Sequence, residues 1–446
     1  MTKKIPLFVR LLILLLVIAI TALTTYHITD KRADNELRRL RLLQAEELAE
    51  LEKQYGAQTF DMELLLALDR LYAQNSLTDA EKSSLTEQLL HSYATATGDA
   101  YAGYYSAEDY LALVEERNSR FVGIGVLVFS EKRNDGLLVV SVFPDSPAAE
   151  CGLMPGDVIL SADGLSFGAL TAEEALGKLK GASGTPLTIT YLRDGQTAEL
   201  TLTRRTVTEL TVTAEMLQND IAYVRISSFS AVTPTQLANA VTAMRENGAE
   251  SFVFDLRQNP GGLVASLAEC LGALLPDGPI VHIEYPKNPQ NNYTYRTENG
   301  TLIKQRADGT DEVRTDTDMA DALSLPTAIL IDEGTASAGE LFAAAFRDYA
   351  SKSLCTARIF GVTSVGKGTV QATYRVAGGR AFKFSVATYS PPYGANYNGV
   401  GVLPHEVIAL PSALQGTPPE LLSREDDTQL TAAITWLTAL QSAHTS

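Results

Sequence analysis

The spacing of apolar residues changes character along the chain. Residues 11–23 are almost continuously apolar, and residues 31–53 set Leu37, Leu40, Leu43, Leu48 and Leu51 among charges. Short β-like runs begin at Phe121. The first run, counted over 5–26 and broken only by Arg10, is long enough for a bilayer, which takes about 20 residues. Lys3, Lys4 and Arg10 precede residues 11–23, which predicts an uncleaved transmembrane anchor over 1–30 with a cytoplasmic amino terminus. The leucine spacing over 31–53 predicts an amphipathic helix, either a dimerising stalk or a helix packed on the body. Helices are also predicted over 62–74, over 78–95 with a capping box at Thr78–Glu81, and over 107–117, so 31–120 reads as a helical N-terminal region.

Two β runs, 123–129 and 136–143, open the next segment. A helix over 171–180 and a hairpin of 187–193 and 197–203 about Asp194-Gly195 complete a unit spanning 121–206. From 207 to 446 the pattern is strand and helix in turn. Strands are predicted over 221–226, 251–256, 279–285, 327–331, 356–360, 368–376 and 381–389, with helices over 233–247, from about 262, after 337 and over 428–441. That alternation predicts an α/β core. The polar stretch 288–321, with its Asn299-Gly300 turn, predicts an inserted hairpin.

Composition narrows the function. The 446 residues fit roughly three domains of about 150 residues each. A net charge of −17 disfavours nucleic acid as a partner. Cys151, Cys270 and Cys355 are far apart in sequence, and the five histidines are scattered, so neither a disulfide framework nor a metal site is expected. No cofactor is expected either.

Ser337 is the leading candidate for chemistry. It follows the apolar run 327–331 and precedes a helix-like run, where a strand-to-helix turn can present a hydroxyl beside free backbone N–H groups. A helix cap is the alternative, since Ser337-x-x-Glu340 has capping-box spacing. Glu340 would then hold the turn. No histidine lies in a motif, so a base must come from elsewhere.

Two resemblances supply one. Gly123-Ile124-Gly125-Val126, with Ser146-Pro147-Ala148-Ala149 and Gly152-Leu153-Met154-Pro155-Gly156-Asp157-Val158-Ile159, resembles a PDZ domain of the bacterial type. In such a domain Gly123, Ile124, Gly125 and Val126 bind a peptide carboxy terminus by β-augmentation. Gly98-Asp99-Ala100-Tyr101, Phe254-Asp255-Leu256-Arg257-Gln258-Asn259-Pro260-Gly261-Gly262, the Ser337 segment and Gly366-Lys367-Gly368-Thr369-Val370-Gln371 together resemble the carboxy-terminal processing peptidases, a serine/lysine protease family. The resemblance implies a core of the Clp protease and crotonase type, Ser337 as nucleophile, Lys367 as general base and Gln371 orienting its amine. A lysine base must be neutral, hence desolvated. Oxyanion donors are expected at Ala338 and at the Gly261-Gly262 turn. The expected protein is a single-pass endopeptidase of the cell membrane, catalytic part extracytoplasmic, whose partners are proteins with exposed carboxy termini. A silent PDZ scaffold and a crotonase-like acyl-CoA enzyme are the alternatives.

Overall fold

The structure, a computed structural model, describes residues 62–76, 81–117, 120–129, 132–316 and 324–444. The expected anchor, the leucine helix and the Thr78 cap lie outside these residues. Among the described residues no helix is long and apolar enough to cross a membrane.

Contacts divide the chain into two units. One comprises residues up to 96 together with 375–380. Its described helices are α1 (Met62–Asn75) and α2 (Lys82–Ala96), and Arg380 pairs with Glu87 at 2.6 Å. The other comprises 97–374 and 381–446 and carries every candidate site residue.

That larger unit begins with β1 (Gly103–Tyr105) and α3 (Ala107–Arg117). The sequence predicted only helix before residue 121. Instead β1 joins the edge of a later strand, antiparallel, with Gly103 opposite Lys383 and Tyr105 opposite Ala381. Its tyrosines suit a half-buried edge strand, and three residues are too few to show alternation.

The PDZ-like unit is entered by β2 (Arg120–Gly123) and left by β9 (Arg205–Thr208), which pair with each other. Between them lie β3 (Val126–Val128), β4 (Leu137–Val142), α4 (Pro147–Glu150), β5 (Val158–Ala162), β6 (Leu165–Ser166), α5 (Ala172–Leu179), β7 (Pro186–Arg193) and β8 (Gln196–Thr203). The run 123–129, expected as one strand, breaks at Gly125, whose φ is +82°. A Cβ there would sit 2.2 Å from that of Ser146. Ser146 caps α4 and Thr171 caps α5 in a full capping box with Glu174.

The core follows in chain order as β10 (Val212–Met216), β11 (Ile221–Ile226), α6 (Thr233–Glu246), β12 (Ser251–Asp255), α7 (Val264–Leu274), β13 (Gly278–Glu284), β14 (Tyr293–Glu298), β15 (Thr301–Arg306), β16 (Asp311–Asp316), β17 (Thr327–Ile331), α8 (Ala338–Ser351), β18 (Ala357–Gly361), β19 (Thr369–Arg375), β20 (Ala381–Ser390), β21 (Glu406–Val407) and α9 (Thr428–His444). One sheet runs β10-β11-β12-β17-β18-β21 and is parallel from β11 onward. Every residue of β11, β12 and β17 is buried, as expected of parallel strands covered on both faces. The second sheet runs β1-β20-β13-β14-β15-β16, with β19 also on β20. The segment expected as a hairpin is therefore three strands of this sheet. A second turn at Asp308-Gly309, Gly309 having φ +81°, folds β16 back onto β15.

Alternate side chains sort the layers. Ala222, Val224, Phe252, Phe254 and Ile329 pack with α6, α7 and α8 and with Val281, Ile283, Tyr295 and Ala387 of the second sheet. Ile221, Tyr223, Val253, Ala328 and Leu330 face Leu430, Ala433 and Leu437 of α9. Helices α7 and α8 thus lie between the two sheets, α6 packs beside α7 on the inner face of the first, and α9 covers its outer face. Helix α8 is buried without interruption from Ala338 to Phe346, so its start is held from all sides. Phe342 sits 5.4 Å edge-on to Phe254 and 5.1 Å from Phe346. Phe342→Ala should lower unfolding free energy by about 3–5 kcal/mol, read from urea melts against the unsubstituted protein.

Candidate active site

Ser337 ends the loop from β17 and starts α8. Its φ of +53° and ψ of −117° are unusual for a residue with a Cβ and carry a strain of about 1–3 kcal/mol. The same sharp strand-to-helix turn lifts the serine of other hydrolases to the carboxyl edge of their sheets. Ser337 is only 7% exposed.

Glu340 holds this turn. Its side chain is fully buried and accepts four hydrogen bonds from two parts of the chain. Ser337 N–H donates to Oε2 at 2.7 Å and Lys367 N–H donates to the same oxygen at 2.8 Å. Gly366 N–H and Ser364 Oγ each donate to Oε1 at 2.6 Å. One carboxylate thus fastens the serine turn to the segment carrying the lysine. The Glu340 half of the capping box expected here is in place, its carboxylate accepting Ser337 N–H.

The Asp255–Gly262 loop approaches from the other side. Gly261 has φ +101°, and a Cβ on it would meet Ser337 Cβ at 2.7 Å and Ala338 N at 2.8 Å. Only glycine fits so close to the serine. Gly261 N–H donates to Asn259 Oδ1 at 2.8 Å, so it is engaged inside its own turn. Among the described residues, Gly262 N–H and Ala338 N–H have no acceptor. These two are the donors left for a developing oxyanion.

The loop is braced by buried charge. Arg257 Nη2 meets Asp255 Oδ2 at 2.6 Å and Asp427 Oδ2 at 2.8 Å, and Arg257 Nη1 meets Gln429 Oε1 at 3.0 Å. Arg225 joins Asp255 to Glu420, with 3.0 Å from Nε to the Glu420 carboxylate. Burial alone would raise the Asp255 carboxyl, but Arg257 and Arg225 outweigh it and hold it below the usual range.

Lys367 is half-buried between Gly366 and Gly368. Tyr389 hydroxyl donates to its carbonyl. Asn398 Oδ1 accepts from Gly368 N–H at 3.0 Å, and Asn396 Nδ2 donates to Gly368 O at 2.7 Å. Burial first, and the nearby Lys383 charge second, push the Lys367 ammonium below its ordinary range, against the pull of Glu340. Among the described residues no hydrogen bond joins its Nζ to Ser337 Oγ; the amine stands 4.8 Å over the Tyr101 ring.

Gln371 departs from expectation. Its Nε2 donates to Thr369 Oγ1 at 2.9 Å and to Ser385 Oγ at 3.3 Å rather than to Lys367. Ser385 is itself held by Asp99. The PDZ-like residues 123–126 also have packing duties: Ile124 O accepts from Ala148 N–H at 2.9 Å and Gly125 O from Phe143 N–H at 2.9 Å. Strand β3, which starts at Val126, is the end strand of its sheet, so its outer edge is open among the described residues. Asn396, Asn398, Tyr389 and Ser364 carry no signal in the sequence that marks them as part of the lysine segment's surroundings.

A strained serine at a helix start, the unengaged N–H groups of Gly262 and Ala338 and a half-buried lysine fastened to the same carboxylate are parts that serine hydrolase chemistry requires. Residues 220–408 match the profile of peptidase family S41 and residues 122–203 that of a PDZ domain. The carboxy-terminal-processing protease of Bartonella bacilliformis is 30% identical over 319 residues, covering 70% of this chain and 67% of that protein. The carboxyl-terminal-processing protease of Synechocystis sp. is 28% identical over 364 residues, covering 80% and 78%. Against others of these relatives the chain spans as little as 58% of their length. A crystal structure from Bacteroides fragilis assigned as an S41 protease shares the fold, with a TM-score of 0.52 at 16% identity over 86% of this chain and 99% of that one. The chain belongs to peptidase family S41, the serine-type carboxyl-terminal processing peptidases.

Glu340→Gln replaces one accepting oxygen by an NH2 that faces N–H donors. It should abolish measurable turnover and lower unfolding free energy by about 1.5–3 kcal/mol, read by peptide cleavage and urea melting.

Proposed function

We propose that this chain is an endopeptidase that captures exposed carboxy-terminal tails on its PDZ domain and cleaves them with Ser337 as nucleophile and Lys367 as base. The observation that carries this reading is the shared carboxylate: Ser337 N–H and Lys367 N–H both end on Glu340 Oε2, at 2.7 and 2.8 Å.

In the proposed reaction the neutral Lys367 amine leaves the Tyr101 face and takes the Ser337 proton as Oγ attacks the peptide carbonyl. The carbonyl oxygen gains charge facing Ala338 N–H and Gly262 N–H. On collapse the C–N bond breaks, the leaving amine takes the proton from Lys367, and water hydrolyses the Ser337 ester by the same proton route. Gln371 would need to turn from Ser385 to assist the amine. The tail itself would add a strand to the open edge of β3, next to Gly123, Ile124 and Gly125. We read the core as related to the Clp protease and crotonase folds. We also read residues 1–30 as a membrane anchor, with the catalytic part extracytoplasmic and the helix at 31–53 as a contact between two copies.

A lysine amine that makes no hydrogen bond to the serine is also what a silent PDZ scaffold would show, so one assay must separate the two. Cleavage of an unstructured protein should fall at least about 1,000-fold in both Ser337→Ala and Lys367→Ala. Cleavage that survives both changes would sink the mechanism. Absence of cleavage by the unsubstituted chain across pH, with tail peptides still bound, would favour the scaffold. Because Lys367 must be neutral and burial lowers its ammonium, kcat/KM should rise with pH and level off below the ordinary lysine range.

A further inference from the structure

The segment before the PDZ domain is built around the lysine. Asp99 accepts Ser385 N–H at 2.6 Å and Ser385 Oγ at 2.9 Å, and also Tyr101 N–H at 3.0 Å. Ala102 N–H closes a turn on Asp99 O at 3.0 Å, and from Gly103 the chain is a strand on β20. Tyr101 is therefore pinned on both sides. Its ring lies under Lys367 Nζ at 4.8 Å, and the amine makes no hydrogen bond among the described residues. The same segment, through Ser385, also reaches Gln371, whose Nε2 donates to Ser385 Oγ at 3.3 Å.

We propose that Tyr101 is a positioning residue for Lys367, a ring-face rest that holds the ammonium form and releases the neutral amine toward Ser337. This rests on the reading of Lys367 as base. A ring face attracts a cation through its quadrupole, yet it offers a neutral amine little. The serine hydroxyl offers the neutral amine a hydrogen-bond donor. Protonation state and position are thereby linked: charged on the ring, neutral on the serine. Such a link keeps the base off the nucleophile until it can accept a proton.

The surrounding charges are consistent with that division. Lys383, from β20, repels the Lys367 ammonium and rests over the Tyr105 ring at 5.5 Å. Glu340, from α8, attracts it, although both carboxylate oxygens are already engaged by four donors. Tyr389, also from β20, bonds the lysine carbonyl and not its amine. Asp99 has its carboxylate turned to Ser385 and the Tyr101 backbone. Among the described residues, Nζ has no hydrogen bond or ion pair, and the Tyr101 ring stands 4.8 Å from it.

The test measures the ionisation of Lys367 apart from catalysis. Trace acetylation of the full chain across pH, with the Lys367 peptide quantified by mass spectrometry, reports its neutral fraction. Tyr101→Leu keeps the amine covered and removes the quadrupole, so the apparent pKa should fall by about half a pH unit. Tyr101→Phe keeps the ring face and should leave it in place. The acid limb of kcat/KM should move with the labelling curve in both variants. Tyr101→Met, which refills the volume without a ring, is the second variant should the leucine protein melt early. A purely structural role would open the lysine to water and move its pKa upward. An upward or absent shift in Tyr101→Leu and Tyr101→Met, or an equal shift in Tyr101→Phe, would overturn the proposal. If Lys367→Ala still cleaves while the labelling shift is present, the base assignment fails and the ring contact stands, so the two failures are distinguishable.

Discussion

The candidate site depends on one buried carboxylate. Glu340 receives Ser337 N–H, Ser364 Oγ, Gly366 N–H and Lys367 N–H, which come from opposite ends of α8 and β18 in the chain. A charged acceptor in a dry interior is costly unless its oxygens are filled, and here four donors fill them. Three of the donors in turn are main-chain groups that would otherwise stand unpaired beside a strained serine. Each side therefore makes the other tolerable, and the strain at Ser337 persists because α8 is buried along its first two turns.

A second set of buried charges holds the facing loop. Arg257 spans Asp255 on its own loop and Asp427 at the start of α9, so the helix on the outer face of the first sheet fixes the glycines beside Ser337. Tyr223 adds its hydroxyl to Asp255 at 2.7 Å. The charges are paired and hydrogen-bonded, the condition under which a buried ion pair gives a defined geometry rather than a cavity for water. The loop thus reaches the serine turn through packing on one side and ion pairs on the other.

Much of this was legible in the chain, for physical reasons. The apolar runs 221–226, 251–256 and 327–331 announce fully buried strands because parallel strands covered on both faces need no polar alternation. Gly261 and Gly366 were legible because a backbone packed that closely admits no side chain. The rest was hidden in long-range pairing. Nothing local to Gly103–Tyr105 says that it will border β20, because the partner lies far along the chain, with the PDZ domain and most of the core between them. The third strand, β16, was missed because its turn is an Asp-Gly embedded in polar residues without a hydrophobic flank. Gln371 sits at the expected spacing from Lys367, but the competing acceptor, Ser385, belongs to another strand that spacing within 367–371 does not reveal.

The pairing of β2 with β9 has a consequence for how the PDZ domain is tethered. The chain leaves the core and returns to it through two strands bonded to each other, with Arg120 opposite Thr208 and Gly123 opposite Arg205. A domain on one strand could swivel about single bonds. A domain on a two-stranded ribbon bends and twists only as the ribbon does, so its orientation toward the core is set by hydrogen-bonded rungs. The ribbon also brings the two cut ends side by side: the eighty-odd intervening residues form a loop that opens and closes at one point, which is how an insertion can be accommodated in a sheet protein without disturbing the strands on either side.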